Sequence, residues 1–162
     1  MARSDRIVIL TGAGVSAESG LGTFRDEGGL WAKFDPMKLA TPEAFAADPE
    51  TVLGFYNARR ANLSDAKANA AHHALAALEA ARRLSMLITQ NVDGLHEAGG
   101  ATGVLHMHGQ LDQALCAVCG HRWAAPTDLL PQHPCPSCAA LSGRPDVVWF
   151  GEIPYHMELI QT

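Results

Sequence analysis

Four cysteines carry the clearest chemistry in the sequence. Cys116 and Cys119, then Cys135 and Cys138, form two C-x-x-C pairs with fifteen residues between them. Each pair offers two thiolates, and four thiolates complete a zinc tetrahedron with no open position. Such a metal holds a fold together and leaves no place for metal-assisted hydrolysis. His121 and His133 lie nearby but are surplus to a complete set. Cysteines spent on metal rather than on disulfides fit a reducing, cytoplasmic compartment.

A second pattern lies near the N-terminus. Gly12-Ala13-Gly14-Val15-Ser16-Ala17 follows the apolar run Ile7-Val8-Ile9-Leu10 with the G-x-G-x-x-G/A spacing of a dinucleotide-binding turn. The first glycine permits a tight turn, the second lets the backbone approach a pyrophosphate, and a small third residue lets the next helix pack closely. A glycine turn after a strand is also an ordinary turn. A dehydrogenase-type site adds an acidic residue about 20 positions on, at the end of a second strand. Asp26, Glu27 and Asp35 lie instead among Gly28, Gly29, Trp31 and Pro36, which form no strand. A dinucleotide site here is therefore not of the dehydrogenase kind.

Three further clusters could do chemistry. Gln90, Asn91, Asp93 and His96 crowd past the apolar run at 84–89, where open α/β sheets bind ligands; a structural turn on Asn91, Asp93 and Gly94 is the alternative. His108 precedes Gly109 at the end of a short run at 104–107 and is a candidate general base, because histidine titrates nearest neutrality. His106 lies two residues earlier on the same side of the strand, and spacing alone does not choose between them. Tyr56 and Arg59 are three apart on one helical face and could receive a carboxylate on the guanidinium fork. An exposed arginine beside a half-buried tyrosine is the plainer reading.

These side chains need strands that end beneath them and helices behind. The run at 7–10 suits a strand buried on both faces, and a helix follows the glycine turn. Residues 26–36 suit a glycine-rich loop anchored by Trp31 and Phe34, a candidate lid. Thr41-Pro42-Glu43 and Asp48-Pro49-Glu50 each start a helix with a side-chain cap and a proline at the first position. Asn69 caps a helix over 70–84, with Leu75 and Leu78 on its apolar face and His72 and His73 toward solvent. Strands follow at 84–89 and 104–107. A last strand, Val147, Val148, Trp149 and Phe150, ends at Gly151, and residues 158–162 begin a helix. The chain has 162 residues, 48% of them hydrophobic, and a formal net charge of −5. That suits one domain with a small insert and gives no basic footprint for nucleic acid. No run approaches the 18 or so apolar residues of a membrane span, and Met1 to Asp5 lead into the first strand without a signal peptide.

Together, and in order, these residues resemble the sirtuins, the NAD-dependent protein deacylases. The resemblance rests on Gly12-Ala13-Gly14-Val15-Ser16 with Gly20, Thr23-Phe24-Arg25, Thr89-Gln90-Asn91-Val92-Asp93, His108-Gly109, the two cysteine pairs and Val148-Trp149-Phe150-Gly151-Glu152. Phe55-Tyr56-x-x-Arg59-Arg60 is similar to the subgroup that removes succinyl and malonyl groups. The implied fold is α/β: a Rossmann-like parallel sheet with helices on both faces and a zinc-ribbon insert. It would divide into 1–112, with a helical acyl-pocket segment at about 36–68, then 113–144 for zinc, then 145–162 back in the sheet domain.

The resemblance also implies roles. Gly12, Ala13 and Gly14 take the NAD pyrophosphate, with Ser16, Ala17, Glu18 and Val92 in the cofactor set. Phe24, Arg25 and Trp31 belong to the covering loop. Gln90 contacts the ribose, and Asn91 and Asp93 hold the nicotinamide and its ribose. His108, rather than His106, is the base. Tyr56 and Arg59 recognise an acidic acyl group. Val148, Trp149 and Phe150, with Gly151 and Glu152, hold the substrate peptide as an added strand. In the implied reaction the acyl-lysine oxygen displaces nicotinamide from the ribose, and a ribose oxygen activated by His108 then takes the acyl group. Lysine, nicotinamide and O-acyl-ADP-ribose result. The family's domain continues past the Trp-Phe-Gly-Glu segment with the second half of its sheet, which this chain lacks. The expectation is a shortened chain with an exposed sheet edge, open to a partner or to self-association. A fragment that binds NAD or acyl-lysine peptide without turnover is the competing expectation.

Overall fold

The computed structural model describes residues 7–22 and 34–161. Strands β1 (Ile7–Thr11), β2 (Leu84–Thr89) and β3 (Val104–His106) form a parallel sheet in that order. Thr11 lies opposite Thr89, and Thr89 opposite His106. The three strands therefore end in line, and the segments that follow them share one rim.

The continuous apolar run of β1 is not buried on both faces. Val8 and Leu10 are 58% and 57% exposed, and β1 is the edge of this sheet among the described residues. Successive side chains alternate across a strand, so Ile7 and Ile9 face the covering layer and Val8 and Leu10 face away. After β1 the chain makes a 3-10 helix, Ala13–Ser19, rather than an α-helix, and Gly20 ends it at φ +85°.

Helix α1 (Pro42–Ala47) starts at Thr41, whose hydroxyl accepts the Ala44 N–H. Helix α2 (Pro49–Leu63) starts at Asp48, whose carboxylate accepts the Thr51 N–H. Both have proline in the first turn, where a missing N–H costs nothing. Helix α3 (Ala70–Ala80) is closed by a reciprocal pair: Asn69 accepts from the first turn, and His72 Nδ1 accepts the Asn69 N–H. Its buried stripe is His72 and Ala76, one turn apart, with Leu75 half-buried. His72, expected toward solvent, is fully buried, and Leu78, expected inward, is 36% exposed. The helix stops short of 84 because Arg82 turns to φ +53°.

Strands β4 (Gly109–Cys116), β5 (Arg122–Ala124) and β6 (Gly143–Val147) form a second, antiparallel sheet in the order β5-β4-β6. Gly109 has φ +79°, and a Cβ there would overlap the Asp146 carbonyl. Only glycine fits, and it lies directly after His108, where the chain leaves the rim of the first sheet for the second. The expectation of a strand at Val147–Phe150 in the main sheet is corrected here. The strand ends at Val147 and pairs with β4. Beyond it the backbone is pinned by other partners. Val148 N–H donates to His108 O at 2.9 Å, Trp149 N–H to Glu152 Oε2 at 2.8 Å, and Phe150 N–H to Ala40 O at 2.9 Å.

The core that matters for the site packs helix α2 against the second sheet. Ala40, Val52, Tyr56, Leu111, Val147 and Trp149 form one buried cluster, flanked by Phe45, Phe55 and Val92. Leu53, Ala114 and Leu129 form another beneath Trp123. Helix α2 belongs to both. It is also stapled to residues 126–129: Asn57 exchanges two hydrogen bonds with the Leu129 backbone, at 3.0 and 3.1 Å, and Arg60 donates to the carbonyls of Leu111, Pro126 and Thr127. Two short helices complete the described chain, α4 (Leu95–Ala98) and α5 (Met157–Ile160).

Candidate active site and metal centre

The four cysteine sulfurs lie within 4.8 Å of one another. Cys116 and Cys138 are 3.7 Å apart, and Cys119 and Cys135 are 3.8 Å apart. A tetrahedral Zn–S bond of about 2.3 Å requires sulfurs about 3.8 Å apart, the spacing of these two pairs, so the set suits zinc. The two knuckles repeat one geometry. Gly120 and Ala139 follow them at φ +72° and +62°, each donating its N–H to the carbonyl of the first cysteine at 2.9 Å. Ser142 sits 3.1 Å from Cys116 Sγ and pulls that thiol down to about 6, while the neighbouring cysteine thiols push Cys138 up to about 12.

A cleft of 850 Å³ opens at the rim of the parallel sheet. Ala13, Gly14 and Ala17 line it from the glycine turn, and Gln90, Asn91 and Val92 from the end of β2. His108, Tyr56, Arg59 and residues 148–152 complete its walls. A Cβ placed on Gly12 or Gly14 would touch nothing within 4 Å, so the turn leaves the open space a pyrophosphate requires. Of the expected residues, Gly12, Ser16, Glu18 and Asp93 are not in the lining. Phe24, Arg25 and Trp31 lie outside the described residues.

His108 Nδ1 is 3.1 Å from Gln90 O. A carbonyl only accepts, so Nδ1 carries the proton and Nε2 keeps its lone pair. That is the tautomer of a base. The Asn91 amide is held by Gly12 O at 3.2 Å and Ser16 Oγ at 3.1 Å, and its N–H donates to Thr89 Oγ1 at 3.0 Å. Asp93, expected on the nicotinamide, instead turns inward. Its carboxylate accepts from Ser16 Oγ at 3.0 Å and from the Leu95 N–H at 3.1 Å.

Behind this lies a buried histidine pair. His72 Nδ1 accepts a backbone N–H, so Nε2 is protonated and points at Ser16 Oγ, 3.4 Å away. His96 Nε2 is 2.9 Å from Thr11 Oγ1, and the two rings meet edge to face. Burial pushes both histidines down and keeps them neutral, and their proximity adds to this for His96. The unfolded chain thus binds protons that the folded chain refuses. The contribution of this pair to stability is full above the ordinary histidine value of 6.5 and declines as pH falls below it. Urea unfolding at stepped pH should show this acid limb, and a flat profile would contradict a neutral buried pair.

In the same lining, Tyr56 is 3% exposed, and its oxygen accepts the Trp149 indole N–H at 2.9 Å. The hydroxyl keeps its own proton to donate. The Arg59 guanidinium carbon lies 5.6 Å from the centre of that ring. Burial pushes the guanidinium down, while Tyr56 and Asp93 favour its charge. Glu152 is bound to the buried Arg144 at 2.6 and 2.8 Å, and Arg144 stacks 3.6 Å from the Trp149 ring centre. Glu152 thus fixes the loop as well as lining the cleft. The N–H groups of Val148, Trp149 and Phe150 are all engaged within the chain, so strand addition here falls to their carbonyl oxygens, of which Trp149 O already accepts the Glu152 N–H at 3.0 Å.

Sequence reasoning missed Ala40, Val147 and Pro154, which also line the cleft, and the buried His72, His96 and Arg144. The Asn69-x-x-His72 capping box was a signal available for His72.

The Sir2 family model matches residues 12–161. An NAD-dependent protein deacylase of Caulobacter vibrioides is 55% identical over 161 residues, covering 96% of this chain and 68% of that protein. The crystal structure of a Sir2 homolog–NAD complex is similar at a TM-score of 0.83 and 45% identity, covering 95% of this chain and 60% of the other. A Sir2 protein with a deacetylated p53 peptide and 3′-O-acetyl-ADP-ribose gives a TM-score of 0.75 at 29% identity, covering 94% of this chain and 63% of the other. The chain thus spans about three fifths to two thirds of the proteins it matches. By sequence and by fold, the chain belongs to the Sir2 family.

Proposed function

We propose that this chain is the acyl-transferring part of an NAD-dependent protein-lysine deacylase that prefers succinyl and malonyl groups to acetyl. One observation carries the reading: a single cleft is lined by the glycine turn, by His108 with an accepting nitrogen, and by Tyr56 beside Arg59.

The residues take the following parts. The open space at Gly12 and Gly14 admits a pyrophosphate, and Ala13 and Ala17 keep the wall low. Asn91, fixed by Gly12 O and Ser16, presents its side-chain oxygen to the nicotinamide ribose, and Gln90 and Val92 flank it. When bound, NAD supplies a ribose carbon that the acyl-lysine oxygen attacks as nicotinamide leaves. His108 Nε2 receives the proton of a ribose hydroxyl. Trp149 and Val92 pack on the lysine stem, and Arg59 with the Tyr56 hydroxyl receives the acyl carboxylate. Zinc, held by the four cysteines, keeps the second sheet in place and takes no part in bond making. A thiolate cluster of this kind suits the cytoplasm, and the exposed Val8–Leu10 edge suits a partner or a second copy.

The test is NAD-dependent release of succinyl and acetyl from one lysine peptide. Losing a charge-assisted hydrogen bond costs about 1.5–3 kcal/mol, roughly 10- to 150-fold. Arg59→Met should therefore lower succinyl release by that factor while acetyl release changes little. Equal losses on both substrates would remove the acyl-carboxylate role from Arg59.

A further inference from the structure

The notable histidine outside the cleft is His106, the last residue of β3. It is 5% exposed, yet both ring nitrogens are engaged: Nδ1 lies 3.1 Å from Asn91 O, and Nε2 lies 2.8 Å from Glu97 Oε1. A backbone carbonyl can only accept, and so can an ionised carboxylate. A neutral ring would turn a lone pair on one of them. The geometry is that of an imidazolium with two donors, each satisfied.

His106 and His108 thus do opposite things with the same ring. Two residues apart, they take two successive carbonyls of the loop after β2, Asn91 O and Gln90 O. His108 keeps its second nitrogen for the cleft, whereas His106 commits its second to Glu97 on α4. Asn91 is consequently gripped at both ends, by His106 on its carbonyl and by Gly12 O and Ser16 on its amide.

We propose that His106 is a positioning residue: as an imidazolium locked to Glu97, it straps the Asn91 carbonyl and thereby orients the Asn91 side chain toward the cofactor.

The charges around it agree. Burial alone would push His106 down, but the Glu97 hydrogen bond and charge, the Asn91 carbonyl and Asp93 together raise it. Burial would likewise raise Glu97, yet His106 holds its carboxyl below the ordinary range. From α4, His96 is neutral and buried and adds no competing charge of its own. On the other side His106 borders a smaller cleft, where Arg122 is already bound to Asp146 at 2.7 Å, with His156 and Glu158 on its wall. Glu97, 2.8 Å from Nε2, is the counter-ion of the His106 ring.

The strap is a matter of protonation and geometry; only its catalytic consequence rests on the deacylase reading. The test begins with ring-nitrogen NMR shifts of the ¹⁵N-labelled chain. At about pH 7, where an ordinary histidine is mostly neutral, His106 should still show two protonated nitrogens. As pH rises it should lose one, and the backbone amides of residues 91–93 should shift with the same midpoint. Glu97→Gln, at a side chain 40% exposed, should lower that midpoint by about one pH unit or more. It should weaken ADP-ribose binding near neutrality, and mild acidification should restore it. His106→Gln supplies an N–H that does not titrate, so its loop amides should be insensitive to alkali. A singly protonated His106 at about pH 7, or loop amides that ignore its titration, would overturn the proposal. Failure of the wild-type chain to bind ADP-ribose at any pH would count against the deacylase reading, and the nitrogen shifts would still judge His106.

Discussion

His108→Ala should reduce NAD-dependent deacylation by about 10²–10⁴-fold, the range a positioned general base contributes, and leave ADP-ribose binding within a few-fold of wild type. The two halves of this prediction have separate causes. The rate loss follows from Nε2, the one histidine nitrogen lining the cleft that is left as an acceptor by the Gln90 contact. The retained binding follows from how little else His108 holds. Its side chain makes one described hydrogen bond, and the rim of the sheet is pinned by backbone bonds such as Met107 N–H to Thr89 O at 3.0 Å and Gln90 N–H to Thr11 O at 3.0 Å. Single-turnover rates with saturating NAD would separate the rate loss from binding. A variant that keeps its rate would move the base elsewhere.

Removing zinc should have the largest effect on stability. Apparent binding energies for structural zinc are roughly 10–16 kcal/mol in small domains, comparable with or above the roughly 5–15 kcal/mol of a whole domain. The second sheet has little else to replace that contribution. Its β5 is three residues long, and one cluster beneath it is Leu53, Ala114 and Leu129. A chelator, or Cys135→Ser, should therefore abolish protection of the amides between Cys116 and Ser142 and lower the melting temperature steeply. Because Leu129 is tied to Asn57 on α2, the damage should spread to the cleft wall. Calorimetry with and without chelator measures the first effect, and hydrogen exchange the second. A metal-free chain with an unchanged melt would refute a structural metal.

Local signals were the legible ones. Thr41-Pro42, Asp48-Pro49 and Asn69 mark helix starts because capping is settled within one turn of chain. The cysteine pairs were legible because the C-x-x-C knuckle is itself local, as the matching turns at Gly120 and Ala139 show. What failed depended on distant partners. His72 looked polar and so exposed, yet Ser16 and the Asn69 backbone satisfy it inside the fold. The last strand runs over Gly143–Val147 rather than the expected 147–150: Gly143 lies against the Trp123 ring, where a Cβ would sit 3.3 Å from it, and Pro145 pairs with Ala114. In the site, Asp93 sits in a turn that could face either way, and Ser16 and the Leu95 N–H draw it inward.

Helix α2 serves two masters from two faces. Tyr56 and Arg59 look into the cleft, while Asn57 and Arg60, each one position along, hold the metal-bearing sheet. On the deacylase reading, position 59 can therefore be exchanged over evolutionary time, retuning which acyl group is accepted, without loosening the anchorage at 57 and 60. Tyr56 has no such freedom, because it also belongs to the buried core and holds Trp149.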